Sequence, residues 1–114
     1  EQARLINEQL DAIISLNPNM PVFMAGDMND LPWSETLLTL TQNRFYNTAD
    51  PNTPEENYSY IFEGNAQELD YILVNKNLAD RVLQARFVHV NSFLDRSDAI
   101  SDHDPMIIEF DLDQ

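Results

Sequence analysis

Leu5, Ile6, Leu10, Ile13, Ile14 and Leu16 recur at mostly helical spacing, which predicts an amphipathic helix over residues 1–16 that Asn17-Pro18 and Pro21 bring to an end. The pattern then changes. Val22-Phe23-Met24-Ala25 is a short, continuously apolar run, the mark of a strand buried on both faces, and it gives way to a polar turn, Gly26-Asp27-Met28-Asn29-Asp30. Pro32 and Ser34 are start signals for a second helix, with Glu35 in its first turn and Leu37, Leu38 and Leu40 as its apolar face. Residues 43–57 show no period and are rich in Asn, Asp, Pro, Thr and Glu, the composition of a surface loop. Apolar alternation resumes at Tyr58–Phe62. With a Gly64-Asn65 turn and a second run at Leu69–Val74, it predicts a hairpin. One helical turn within 75–81, a strand over 82–90, a polar loop over 92–104 and a last strand over 106–112 complete the reading.

Helix, strand, helix and then four strands describe a layered α/β domain, with helices covering a mixed, largely antiparallel sheet. At 114 residues the chain fits one domain, and no repeat or internal boundary divides residues 1–114. The longest strongly apolar stretches, such as Tyr71-Ile72-Leu73-Val74, have strand length, so no membrane span is expected. No basic-then-apolar leader stands at the first residues. The absence of cysteine excludes disulfides, zinc–thiolate sites and cysteine nucleophiles, and leaves the compartment open. Twenty acidic residues against six basic ones give a net charge of −14, a solubilising surface that repels phosphodiester backbones and anionic membranes at long range. Part of that excess is accounted for if carboxylates gather around a divalent cation.

Three polar clusters stand where predicted strands begin or end. Asp70 lies within the apolar run Leu69–Val74, where a carboxylate needs a partner. Either Glu68 and Asp70 alternate onto a wet face, or Asp70 hydrogen-bonds His103 and sets its tautomer, the orienting role in an acid–base pair. In Gly26-Asp27-Met28-Asn29, a carboxylate and an amide two residues apart point the same way in an extended turn and suit a water and a phosphoryl oxygen. The competing reading is an Asx turn that caps the next helix. In Ser101-Asp102-His103-Asp104-Pro105, Asp102 is a hard oxygen ligand for Mg²⁺ or Mn²⁺ and His103 a phosphate contact or general acid/base, or else the loop is a structural hydrogen-bond network. His89, inside Phe87-Val88-His89-Val90, reads as structural or surface.

In this order, Gly26-Asp27-Met28-Asn29, Leu69-Asp70-Tyr71-Ile72-Leu73 and Ser101-Asp102-His103-Asp104-Pro105 make the chain resemble the endonuclease/exonuclease/phosphatase superfamily. The resemblance covers essentially the whole chain and corresponds to the C-terminal half of the family's four-layer α/β sandwich. Tyr58-Ser59-Tyr60-Ile61-Phe62, the Leu69-Asp70-Tyr71-Ile72-Leu73 run and the Ser-Asp-His-Asp-Pro ending look most like bacterial extracellular nucleases, so a secreted bacterial setting is what the resemblance implies. It implies a metal-dependent phosphodiester hydrolase acting on nucleic acid, with Mg²⁺, Mn²⁺ or Ca²⁺ as cofactor. Asp27 would activate water, Asn29 would hold the scissile phosphate and Asp102 would ligate the metal. His103 would bind the phosphate, held by Asp70. Phosphomonoesters, inositol phosphates and sphingomyelin are alternative substrates within the same superfamily, and a non-catalytic interaction domain is the alternative outside it. The family's N-terminal half supplies an Asn, a metal-binding Glu and the first sheet; Glu1, Glu8, Glu55 and Glu56 do not match that motif. The resemblance therefore implies half a site, weak activity alone, and a sheet face open to the missing half or to a second copy.

Overall fold

The computed structural model describes residues 1–112. Helix α1 (Gln2–Leu16) and helix α2 (Glu35–Thr41) lie on one face of a three-stranded antiparallel sheet. That sheet consists of β1 (Phe23–Asp27), β2 (Phe45–Asn47) and β5 (Asp70–Asn75), with β5 in the centre. Two antiparallel pairs accompany it: β3 (Tyr60–Phe62) with β4 (Asn65–Gln67), and β6 (Val82–Phe87) with β7 (Met106–Phe110). Helix α3 (Lys76–Ala79) is a single turn after β5. All ladders among the described residues are antiparallel, so the expected mixed sheet resolves into antiparallel units under helices. No described helix is long and apolar enough to cross a membrane.

The core follows from two periodicities. Ala3 and Leu10 of α1 and Leu37 and Leu40 of α2 are buried against Phe45, Tyr71 and Leu73, with Ile6, Ile14, Val22 and Met24 packed around them. Leu5 and Leu16, counted in the apolar stripe of α1, are exposed, as is Leu38 of α2; the face that wins is the one continuing the 3, 10 and 37, 40 rows. Helix α2 starts where Ser34 accepts a hydrogen bond from the Leu37 N–H at 3.2 Å, so Ser34 and not Asp27 caps it. The opposite face of the sheet carries the alternate residues, and there the ring of Phe23 meets that of Phe110 on β7, centroids 6.5 Å apart.

Three expectations are corrected. Strand β1 is not buried on both faces, since Phe23 keeps 62% of its surface exposed, and it runs on through Gly26 to Asp27 instead of stopping at Ala25. The span 43–57 is not all loop, because Phe45–Asn47 adds β2 to the sheet and Pro54–Glu56 forms a 3-10 turn. The hairpin joins β3 to residues 65–67 rather than to Leu69–Val74. Its two-residue turn is Glu63-Gly64, with φ of 49° and 81°, the paired positive values of a turn that matches strand twist. That leaves β5 free to enter the other sheet, and this relocation carries Asp70 to the end of β1.

Candidate active site

The register of β1 against β5 places Phe23 opposite Val74 and, four residues on, Asp27 opposite Asp70. Directly opposed residues of an antiparallel pair share a face, so two carboxylates stand side by side at the end of the ladder, an arrangement that is unfavourable unless something positive lies between or beside them. The loop before β7 supplies that group. His103 Nδ1 is 2.5 Å from Asp70 Oδ2, with both side chains about a quarter exposed. One ligand atom each from Asp27, Asp70 and His103 lies within 4.8 Å of the others. The His103 backbone N–H donates to Ser101 Oγ at 3.1 Å, and the Tyr60 ring packs on the imidazole with centroids 4.9 Å apart. Nδ1 is thus committed to Asp70, and Nε2 has no protein partner among the described residues.

Asn29 and Asp102 stand differently. Asp27 Oδ1 accepts the Asn29 backbone N–H at 2.7 Å, an Asx turn that puts Asn29 at φ 48°. The turn is left-handed, not extended, so the two side chains do not simply alternate as on a strand. Asn29 is exposed. Asp102 is exposed, precedes His103, and lines a groove of about 110 Å³ together with Tyr60, Arg96 and Ser101. It is not among the three residues whose ligand atoms converge. A larger cleft of about 690 Å³ opens between β2 and β6, and none of the five sequence-chosen residues lines it.

Two residues that sequence reasoning passed over build this site. Ser59, fully buried, accepts the Leu69 and Asp70 N–H groups on its hydroxyl at 3.3 and 3.2 Å, and its carbonyl accepts the Asp104 N–H at 2.7 Å. One serine thereby ties the start of β5 to the loop bearing His103. Asp104 is 2% exposed. Its Oδ1 accepts the backbone N–H groups of Val90, Asn91 and Ser92 at 3.1, 2.8 and 3.0 Å, and its Oδ2 takes the Ser92 hydroxyl and His89 Nδ1. Asn91 Nδ2 completes the clasp by donating to the His103 carbonyl at 2.7 Å. The available signal was Asp104-Pro105 directly before an apolar strand, with a histidine just past the end of the preceding one: a buried acid and its partner. His89, read as structural or surface, has a side chain 12% exposed, stacked on Tyr58 at 3.9 Å.

Burial of the His103 imidazole disfavours its charged form, but the hydrogen bond to Asp70 and the charges of Asp70, Asp27 and Asp102 outweigh it and raise its pKa above the usual histidine value. Glu68, the other half of the suspected wet-face alternation, is pushed up by burial, against a hydrogen bond from Asn47 Nδ2 at 2.7 Å. Glu68 and Asp70 therefore have separate partners. The cluster fits a divalent cation by its donor set: two opposed carboxylates, with a single imidazole beside them, are hard oxygen ligands of the kind Mg²⁺, Mn²⁺ and Ca²⁺ take.

The arrangement is a cation-receptive acidic rim with an oriented imidazole beside it. Residues 1–103 match the family model described as Endonuclease/Exonuclease/phosphatase family. The chain belongs to this family. Searches of curated proteins and of solved structures returned no significant match. Membership in the endonuclease/exonuclease/phosphatase family places the chain among hydrolytic phosphoesterase- and nuclease-type proteins that are typically divalent-metal dependent.

Proposed function

We propose that this chain carries phosphodiester-hydrolysing machinery that acts on nucleic acid. The observation that carries the reading is Asp70 holding His103 by Nδ1 directly across from Asp27. A divalent cation held by these carboxylates, with Asp102 contributing, would neutralise phosphate charge. The protein side of the step is simple. Asp27 orients a water and takes its proton as the water oxygen bonds to phosphorus and the bond to the leaving oxygen breaks. The departing oxygen leaves as an alkoxide that is protonated from water. His103 Nε2 donates to a non-bridging phosphate oxygen. Asp70 raises its proton affinity, which favours the charged imidazole as the dianionic transition state forms. Asn29 holds the phosphate through its amide.

We propose further that the family's remaining metal-binding Glu is supplied outside these 114 residues, as none of Glu1, Glu8, Glu55 and Glu56 belongs to the cluster. The test is metal-dependent cleavage of plasmid DNA and of a phosphomonoester, by the chain alone and by the chain extended upstream. The expected result is diester cleavage with Mg²⁺ or Mn²⁺ that EDTA abolishes and Asp27→Asn removes. Metal-independent cleavage, or full activity in Asp27→Asn, would sink the reading. Faster turnover of the monoester would move the substrate class while leaving the site roles in place.

A further inference from the structure

Beside the acidic rim three rings follow one another. The His103 imidazole packs on Tyr60 at 4.9 Å, and Tyr60 lies against Phe62 at 6.4 Å with planes only 13° apart. Tyr60 and Phe62 are two apart on β3, so they share a face of the hairpin, and Phe62 is 51% exposed. Phe62 is the exposed end of a row of rings that begins on the site's imidazole. The chain's net charge of −14 repels a polyanion, so contacts that do not depend on charge must supply much of the binding free energy for any nucleic acid. Stacking on an aromatic face does this for every base. Arg96 is an exposed cation on this side, in the groove it shares with Tyr60 and Asp102.

Resting on the phosphodiesterase reading above, we propose that Tyr60 and Phe62 form a stacking shelf for the bases of a single-stranded polynucleotide, and that Arg96 pairs with one flanking phosphate. Stacking on these rings selects the single strand, because it needs an unpaired base with a free face and in a duplex both faces of a base are taken by its neighbours. The shelf reads no sequence, because it offers ring faces and no edge contacts.

The test separates base from backbone without relying on turnover. The chain in EDTA is titrated with hexathymidylate and with an abasic hexamer of equal length and charge, followed by fluorescence anisotropy. The base-bearing strand should bind at least about 10-fold tighter. Phe62→Ala, at a half-exposed site that does not enter the core, should lower its affinity several-fold toward that of the abasic strand, with Tyr60 keeping part of the preference, and Phe62→Tyr should restore it. The salt dependence should be shallow, with a log–log slope near −0.7 for one phosphate contact, and Arg96→Ala should flatten it. Equal affinity for both strands, undetectable binding of either, or an unchanged preference in Phe62→Ala would overturn the shelf. None of these results bears on metal-dependent cleavage, whose own failure would appear in the plasmid assay.

Discussion

Two histidines in this chain present Nδ1 to an aspartate, and the pairs differ in almost everything else. His103 and Asp70 stand at the open end of a ladder, each about a quarter exposed, with Asp27 opposite and Nε2 without a partner among the described residues. His89 and Asp104 are nearly enclosed; both imidazole nitrogens face oxygens, and the carboxylate takes five hydrogen bonds. A carboxylate–imidazole pair is therefore not a functional signal in itself. What distinguishes a site is capacity left over: a donor without a protein partner, beside charge the protein does not neutralise. The inner pair has none left over and holds the loop that carries the outer one.

The contrast breaks most directly at the histidines. His103→Ala is expected to lower kcat for diester hydrolysis by about 10²–10⁴-fold, the range of a positioned acid–base group, with little change in melting temperature. His89→Ala is expected to lower the melting temperature and to affect rate only through the folded fraction. If His103→Ala keeps its rate in a folded protein, the outer pair is as structural as the inner.

Next in size is Asp104→Ala. It strips three buried backbone N–H groups and the His89 ring of their acceptor, and is expected to destabilise the fold by about 3–5 kcal/mol in urea titration. Asp70→Ala removes a partner only from a quarter-exposed ring and is expected to do far less to stability. Equal losses would erase the distinction drawn here.

Acidity sharpens the comparison because Asp104 is shifted down and His103 up. Burial alone would raise the Asp104 pKa, but the Ser92 hydroxyl, His89 and the backbone N–H groups of Asn91 and Ser92 hold it at about 2, against an ordinary 3.8. A depressed folded value gives stability that is present above 3.8 and lost as pH falls through about 2, on the order of 2 kcal/mol. His103 is raised, so its smaller contribution is present below its ordinary 6.5 and lost as pH rises through the folded value. Melting curves in EDTA should show an acid limb that is missing in Asp104→Asn and a weak alkaline decline that is missing in His103→Ala. An acid limb unchanged in Asp104→Asn would contradict the hydrogen-bond account.

The outer pair was legible in the sequence because its residues sit where apolar runs start and stop, and a carboxylate inside Leu69–Val74 demands a partner. The inner pair was harder to read. Asp104 is one more acid in an acid-rich loop, and its main partners are backbone N–H groups, which leave no trace in residue type. β2 was missed for a related reason: Phe45-Tyr46-Asn47 is too short to show alternation, and its strand character comes from pairing with β5. The hairpin was paired with the wrong strand because Glu63 gives no hint that it will take a positive φ.

The smallest expected effects concern Asn29, where the backbone and the chemical roles can be pulled apart. At φ 48° an Asn is tolerated and a Gly is at ease, whereas an Ala pays for its Cβ with about 1 kcal/mol. Asn29→Gly should therefore melt near the parent and Asn29→Ala measurably lower. Both lose the amide. If that amide holds the phosphate, both should lose about 10-fold or more in rate, the worth of a hydrogen bond to a charged group, and to the same extent once corrected for folded fraction. Full activity in Asn29→Gly with reduced activity in Asn29→Ala would show instead that Asn29 serves the Asx turn alone. Asp27 would then be aimed by backbone geometry, and the outer rim would resemble the inner clasp more closely than the histidines imply.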